Sequence, residues 1–505
     1  MRNPQNTQGS HRAGWRYPGT RRSFLSDCGM GMTGMVLGSL LSRDGISRAN
    51  AAGLHGPAAA MIPRLPEIAP RARSVIWLFM IGGTSQMESF DPKPDLNRYE
   101  GKSIDETPFK ATLDSPHLKK NLRELVAGLH KVHPKILPMQ VGYSKRGQSG
   151  IEVSDWWPHV GGCIDDIAVV RSMWTTDNNH GAQLQFHTGR HVLDGQFPTI
   201  GSWVHYGLGS LNENLPQFVV MGKPLADCCG GVGAHGANYL GPEHQGVQLA
   251  IDPKRPLPYA GPGADVFTEE QQAQFGLIDR LNRFSAVEYP EDAALAARIK
   301  SYELAFRMQM AVPEIMAFGQ ESEATQRLYG IDQAVTKPFG EQCLAARRLV
   351  EKGVRFIQIF HGSNGGAGEW DAHGGLRQGH SSLCGQVDLP IAGLLTDLKQ
   401  RGLLDETLVV WGTEFGRTPG GQGDGGRDHH PYGFSVWLAG GGIRGGIAHG
   451  ATDEIGFHAV ENRHYVTDLH ATVLHQLGLD PEKLTVPGRQ RLEMEFGHPI
   501  REIMA

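Results

Sequence analysis

Three short stretches in the second half of the chain set carboxylates and imidazoles just past apolar, strand-like runs: Glu369-Trp370-Asp371-Ala372-His373, Thr413-Glu414-Phe415-Gly416-Arg417 and Arg427-Asp428-His429-His430-Pro431. In an open α/β sheet, whatever follows the carboxyl ends of neighbouring strands is delivered into one crevice, so donors remote in sequence can meet. Oxygen and nitrogen donors together predict a divalent metal site built from at least three of these groups. Zn²⁺ or Mn²⁺ suits that mixture better than Ca²⁺ alone. Each stretch by itself reads as a polar loop; their shared placement after successive strands is what points to a site.

The elements that must position these groups alternate. Ser74 to Ile81 is a continuous apolar run ending in Gly82-Gly83, as a strand buried on both faces requires. A second such run, Ile164 to Met173, closes a stretch containing Trp156-Trp157-Pro158. Further on the pattern predicts a helix around 341–352, a strand at 354–360, a helix around 381–401, strands at 407–412 and 434–439, and a helix at 466–477. Strand and helix in turn imply crossovers and a mostly parallel sheet clad on both faces. The stretch 291–310 carries an amphipathic helical pattern (Ala294, Leu295, Ile299, Leu304, Phe306), and about 210–340 reads as a helical insertion or cap.

The amino terminus reads as an export signal. Thr20-Arg21-Arg22-Ser23-Phe24-Leu25 precedes a weakly apolar run from Cys28 to Leu41 and a small-residue cleavage pattern at Ala49-Asn50-Ala51, as in a twin-arginine signal. The apolar run is too short for the ~20 residues of a bilayer span. Residues 1–51 are therefore read as the signal and 52–72, rich in Pro and Ala, as a linker. Residues 73–500 are read as the folded domain, located in the periplasm or secreted, with no stable membrane span after cleavage.

Composition narrows the function classes. With 48 basic and 53 acidic side chains the net charge is −5, and no Lys/Arg cluster is interleaved with aromatics, which argues against a nucleic-acid partner. Five cysteines follow the signal: Cys163, Cys228, Cys229, Cys343 and Cys384. Their number is odd and their spacing fits no zinc knuckle, so structural thiols with at most one or two disulfides are expected. Glycine, 67 residues in all, concentrates at 362–375, 420–426 and 440–446, where loops at a site mouth or plain surface loops both fit.

These residues carry a resemblance. An apolar first strand, His187-Thr188-Gly189-Arg190, an Asp/His pair after one strand, an acid after the next, a histidine loop and the helix at 467–479 together look like the alkaline phosphatase and sulfatase superfamily. Asp468 to Leu479 is similar to the sulfatase helix Asp-Leu-x-Pro-Thr-Leu-Leu-x-Leu-Leu-Gly-Leu, and Leu184 to Arg190 to the Leu-x-Thr-Gly-Arg tail of the sulfatase nucleophile motif. Closer still, Gly82 to Lys93, Trp370-Asp371-Ala372-His373 and Thr413 to Pro419 resemble an exported family known as domain of unknown function 1501, over nearly the whole mature chain.

The resemblance implies an alkaline-phosphatase-like α/β/α sandwich and a metal-dependent hydrolase of phosphate or sulfate esters, acting on a small-molecule or glycan ester. The alternative is an inactive relative that binds an anionic glycan or a protein. Asp371 and His373 would be metal ligands with His429 or His430, and Glu414 would hold the acid position, although Phe415 stands where the superfamily has a histidine. Gly82-Gly83 replace the acid expected after the first strand, leaving Ser85, Glu88 or Asp91 as substitutes, with Glu88 the candidate ligand. The nucleophile position falls on Asn179, beside His180. Thr175 and Thr176 lie just upstream, and a metal-activated water with His180 as base or ligand is the other route. Arg190 and Arg417 are candidates to hold an oxyanion.

Overall fold

A computed structural model describes residues 66–505, apart from Pro224, 487–495 and most of 117–129 and 253–310. The stretch read as an export signal, most of that read as a linker and most of the helical pattern at 291–310 lie outside the described residues.

The main sheet takes nine strands: β1 Ser74–Met80, β2 Ile167–Trp174, β3 Phe218–Met221, β4 Val247–Leu249, β5 Phe356–His361, β6 Thr407–Gly412, β9 Phe434–Ala439, β10 Ile447–His449 and β11 His464–Tyr465. Between β6 and β9 a separate hairpin is formed by β7 Gly416–Gln422 and β8 Gly426–His430. The spatial order is β10-β2-β9-β6-β1-β5-β3-β4, with β11 also on β2. All pairs run parallel except those of β9, which is antiparallel to both β2 and β6. The sheet is therefore mostly parallel and the protein mixed α/β, as expected from the alternation. Strands β3 and β4, from the stretch read as an insertion or cap, extend one edge of that sheet.

Alternation along β1 explains the layers. Ile76, Leu78 and Met80 enter one core together with Phe339, Leu344 and Leu349 of helix α3 (Lys337–Glu351) and Val387, Ile391, Leu395 and Leu398 of helix α4 (Leu376–Gln400). Val75, Trp77 and Phe79 enter a second core with Phe186 of α1 (Gly181–Thr188), Val204 and Leu208 of α2 (Ile200–Leu208), and Leu469, Val473 and Leu477 at α5 (Val466–Gln476). Because both faces are covered, β1, β5, β6 and β9 are buried at every position, and a period-2 polar pattern has no place in them. Each large apolar side chain so buried contributes roughly 1.5–3 kcal/mol.

All five cysteines after residue 66 are free thiols, in line with the structural role expected. Among the described residues no helix is long and apolar enough to cross a membrane.

Candidate metal centre

The carboxyl ends of β1, β2, β5 and β6 and the amino end of antiparallel β9 lie at one rim. Asp371 and His373 follow the loop after β5, Glu414 follows β6, and His180 is the N-cap residue of α1 after β2. His429 sits on β8, just before β9. Gly82-Gly83 end β1 with positive φ angles of 122° and 90°, and a Cβ at Gly82 would lie 2.5 Å from the Asp371 nitrogen. Glycine is required here by close approach as much as by conformation.

The donors converge. His180, Asp371 and His429 each offer an atom within 4.8 Å of the others. His180 Nε2 lies 3.3 Å from Asp371 Oδ2, and His429 Nε2 lies 3.0 Å from Asp371 Oδ1. His373 Nε2 joins them, 3.0 Å from Asp371 Oδ1 and 3.1 Å from His429 Nε2. A tetrahedral ion with bonds of about 2.1 Å needs donors about 3.4 Å apart, close to these spacings.

Hydrogen-bond roles favour an ion over direct contacts. His429 Nδ1 faces the Asn178 carbonyl at 2.9 Å, an acceptor only, so the ring proton sits on Nδ1. Burial pushes the His429 pKa well below its ordinary value and keeps the ring neutral. Its Nε2 lone pair is then aimed at a carboxylate oxygen and at a second imidazole nitrogen. Lone pairs so crowded repel unless a cation lies between them. Burial also works against the charge on Asp371, but the His180, His373 and His429 rings around it, with Arg417 beside it, hold its carboxyl far below the usual range.

Other residues brace the candidate ligands. Glu414 is fully buried and accepts from the Gly82 N–H at 3.0 and 3.2 Å, from the Thr413 hydroxyl at 3.0 Å and from Gln183 Nε2 at 2.9 Å. Its Oε1 lies 3.2 Å from His180 Nδ1. Glu414 thus stands behind His180, orienting the ring as carboxylates do for metal-bound histidines. Burial opposes a charge on His180, yet Asp371 and Glu414 outweigh it and raise its pKa. His373 Nδ1 is oriented by Gln422 Oε1 at 2.6 Å.

The model of the family described as "Protein of unknown function (DUF1501)" matches residues 72–504. The chain belongs to this family. No curated protein matches it. Among solved structures, it is similar to the sulfatase PsFucS1 from Pseudoalteromonas sp., with 13% identity over 88% of this chain and 72% of that one and a TM-score of 0.33. It is also similar to the phosphonate monoester hydrolase SpPMH from Silicibacter pomeroyi, with 12% identity over 68% and 71% and a TM-score of 0.33. The alkaline phosphatase of the Antarctic bacterium TAB5 shares 12% identity over 83% and 99%, with a TM-score of 0.29. At these scores the likenesses add nothing about activity.

In this DUF1501 member the remaining candidates lie elsewhere. Arg417 is fully buried: Nε donates to the Gly83 carbonyl at 2.8 Å, Nη1 to Arg427 O at 3.1 Å, and Nη2 to Gly82 O and to Asp371 Oδ1, the last at 2.8 Å. It fixes Asp371 from behind and offers no open face to an oxyanion. Glu88 pairs with Arg427 at 2.8 Å and accepts from the Ser85 hydroxyl, while Asp91 pairs with Lys93 at 3.0 Å. His430 Nε2 turns to the Phe457 carbonyl, where burial pushes its pKa down to about 3. Thr176 takes a hydrogen bond from Gln185 Nε2 at 2.9 Å, Thr175 donates to Gln185 Oε1 at 2.8 Å, and Asn179 Oδ1 accepts from the His180 N–H at 2.7 Å. Arg190 lines a separate cavity with Phe197, Trp203 and Tyr239.

Sequence reasoning named Asp428 only as part of its stretch and missed His130, His133 and Gln183. Gln183 falls one helical turn after His180, a spacing that places both on one face of α1. His130-x-x-His133 was visible as a pair, but nothing in the pattern tied it to the rim.

Proposed function

We propose that the protein is an exported, metal-dependent hydrolase of phosphate or sulfate esters. The observation that carries this reading is the set of lone pairs of His180, Asp371, His373 and His429 turned on one point. Those four residues would hold a divalent ion, Zn²⁺ or Mn²⁺ rather than Ca²⁺, since three of the donors are imidazole nitrogens. When bound, such an ion supplies Lewis acidity toward a non-bridging ester oxygen and toward the attacking water. Arg417 keeps Asp371 in register, Glu414 and Gln183 keep His180 in register, and the Asn178 carbonyl sets the tautomer of His429. The hydroxyls of Thr175 and Thr176 face Gln185, so water, not a side chain, is the attacking group in this reading.

The test is turnover of an aryl phosphate and an aryl sulfate by protein loaded with Zn²⁺ or Mn²⁺. Asp371→Asn is expected to lose the ion and on the order of 10²–10³ in rate, which corresponds to a few kcal/mol of transition-state stabilisation. A protein with a full metal complement that hydrolyses neither ester class would sink the hydrolase reading.

The second reading is a non-catalytic module that binds an anionic glycan or a protein. It is favoured by Asn179, a side chain that cannot attack phosphorus or sulfur, at the position where the resemblance implies a nucleophile. Sulfate binding by calorimetry with no turnover would support it. Export through the twin-arginine route rests on Arg21-Arg22; a doubled Arg→Lys change there is expected to retain the protein in the cytoplasm, and unaltered export would remove the proposal.

A further inference from the structure

Where the end of α1 meets the first turns of α2 and α5, Arg190, Phe197, Trp203, Tyr239, Thr467 and His470 line a cavity of about 50 Å³. That is room for a few ordered waters or one small ion. Clefts for larger ligands run to roughly 300–1,000 Å³. The cavity lies at the opposite end of α1 from His180, roughly 12 Å away along the helix axis.

The polar lining of this cavity is incomplete. Among the described residues the half-buried guanidinium of Arg190 meets no carboxylate or carbonyl; its contact is with the Phe197 ring, 6.0 Å from the centroid. Asp194, whose charge reaches it, is taken up by Arg123 at 2.6 and 2.9 Å. Burial lowers the Arg190 pKa from its ordinary value, as it does for a cation set in dry surroundings. An anion would complete the open fork.

His470 adds a requirement of the opposite kind. The ring is 8% exposed, and its Nε2 lies 2.8 Å from the Phe186 carbonyl, an acceptor only, so the proton sits on Nε2 and the lone pair on Nδ1. Burial pushes the pKa down to about 4 and keeps the ring neutral. Among the described residues Nδ1 has no partner. Gly189 leaves it uncovered, since a Cβ there would lie 3.2 Å from Nδ1. The Thr467 hydroxyl is likewise buried without a hydrogen-bond partner.

The ligand must therefore bring negative oxygens to Arg190 and a hydrogen-bond donor to His470. Sulfate and carboxylates carry acceptors alone at neutral pH. Phosphate monoesters, with a second pKa of about 6, have mostly lost their last proton there. Inorganic phosphate still keeps one. We infer that this cavity binds inorganic phosphate, with Arg190 on its charged oxygens and His470 Nδ1 accepting from its P–OH. The site stands whether or not the metal centre hydrolyses esters.

The experiment is calorimetric titration of the full-length protein at pH 8 with inorganic phosphate, sulfate and phenyl phosphate, in wild type and in Asp371→Asn, which takes the metal centre out of the readout. Phosphate is expected to bind the Asp371→Asn protein with one equivalent, and sulfate and phenyl phosphate at least about tenfold more weakly. Adding Arg190→Gln should cost about tenfold or more in phosphate affinity, and Arg190→Lys, which keeps the charge without the fork, should recover part of it. Adding His470→Phe should bring phosphate down to the level of sulfate. Circular dichroism checks that each variant is folded. No phosphate binding by the Asp371→Asn protein, binding that Arg190→Gln leaves unchanged, or sulfate or phenyl phosphate held as tightly as phosphate overturns the site. Ester turnover does not enter the measurement, so each of those outcomes leaves the hydrolase reading untouched.

Discussion

Glu88 and Asp371 are both carboxylates under the rim of the sheet, each 2.8 Å from a buried guanidinium, and they differ in everything else around them. Glu88 and Arg427 are both fully enclosed, and the guanidinium also donates to the carbonyls of Thr418, Pro419, Leu137 and Pro138. Charge there is matched and both terminal nitrogens of the guanidinium are occupied: the pair is a rivet. Asp371 keeps its arginine but gathers three imidazoles whose free lone pairs have nowhere to go. Matched charge marks architecture, and crowded lone pairs mark a place for a ligand. Only the second kind of site should respond to metal.

Breaking the rivet gives the largest expected effect on stability. Glu88→Ala leaves Arg427 buried and unpaired, and should lower the unfolding free energy by about 3–5 kcal/mol in urea titrations with the metal stoichiometry unchanged. If Glu88→Ala instead lost metal at full stability, the two roles would be reversed. Next, Zn²⁺ at a hundred times its dissociation constant should stabilise wild type by about 2.7 kcal/mol per site filled, and Glu88→Ala equally. Asp371→Asn should lose the share belonging to its centre, and an undiminished shift in that variant would erase the distinction. A third test presses on the floor of the centre: Gly82→Ala must push a methyl into the Asp371 backbone, for about 1–3 kcal/mol, and should weaken metal retention as well. Unchanged retention would show that the contact does not set the ligand geometry.

The smallest effect concerns histidines outside the candidate metal centre. Burial lowers the pKa of His205 to about 4, of His244 to about 3 and of His470 to about 4. These rings are neutral in the fold and take up protons on unfolding. Their contribution is fully present above the ordinary value of about 6.5 and is lost as pH falls from there toward 3–4, by on the order of 1 kcal/mol each by pH 5. Unfolding midpoints measured from pH 7 to pH 5 should fall accordingly in metal-free protein. A flat profile would mean these rings titrate alike in the folded and unfolded chain.

The sheet was legible because its central strands are apolar on both faces; the runs at 407–412 and 434–439 match β6 and β9 to the residue. Direction was not legible. An apolar run reads the same either way, so nothing marked β9 as antiparallel, although that reversal is what brings His429 to the rim. The proposed ligands Asp371, His373 and His429 were visible from their place after strands. Glu88 and His430 were indistinguishable from ligands by type, and their fates were decided by partners far along the chain, Arg427 and the Phe457 carbonyl. His130 and His133 stayed hidden because backbone hydrogen bonds, which leave no side-chain pattern, carry them to Asp428.

The close seating of Gly82 against Asp371 also bears on engineering. Placing an acidic side chain at the tip of the first strand is the obvious way to add a donor to this pocket. That graft has no space to land in: any side chain at position 82 begins inside its neighbour's backbone, and the carbonyls it would displace are those that clasp Arg417. Redesign would have to enter from the hairpin side, where imidazoles already stand.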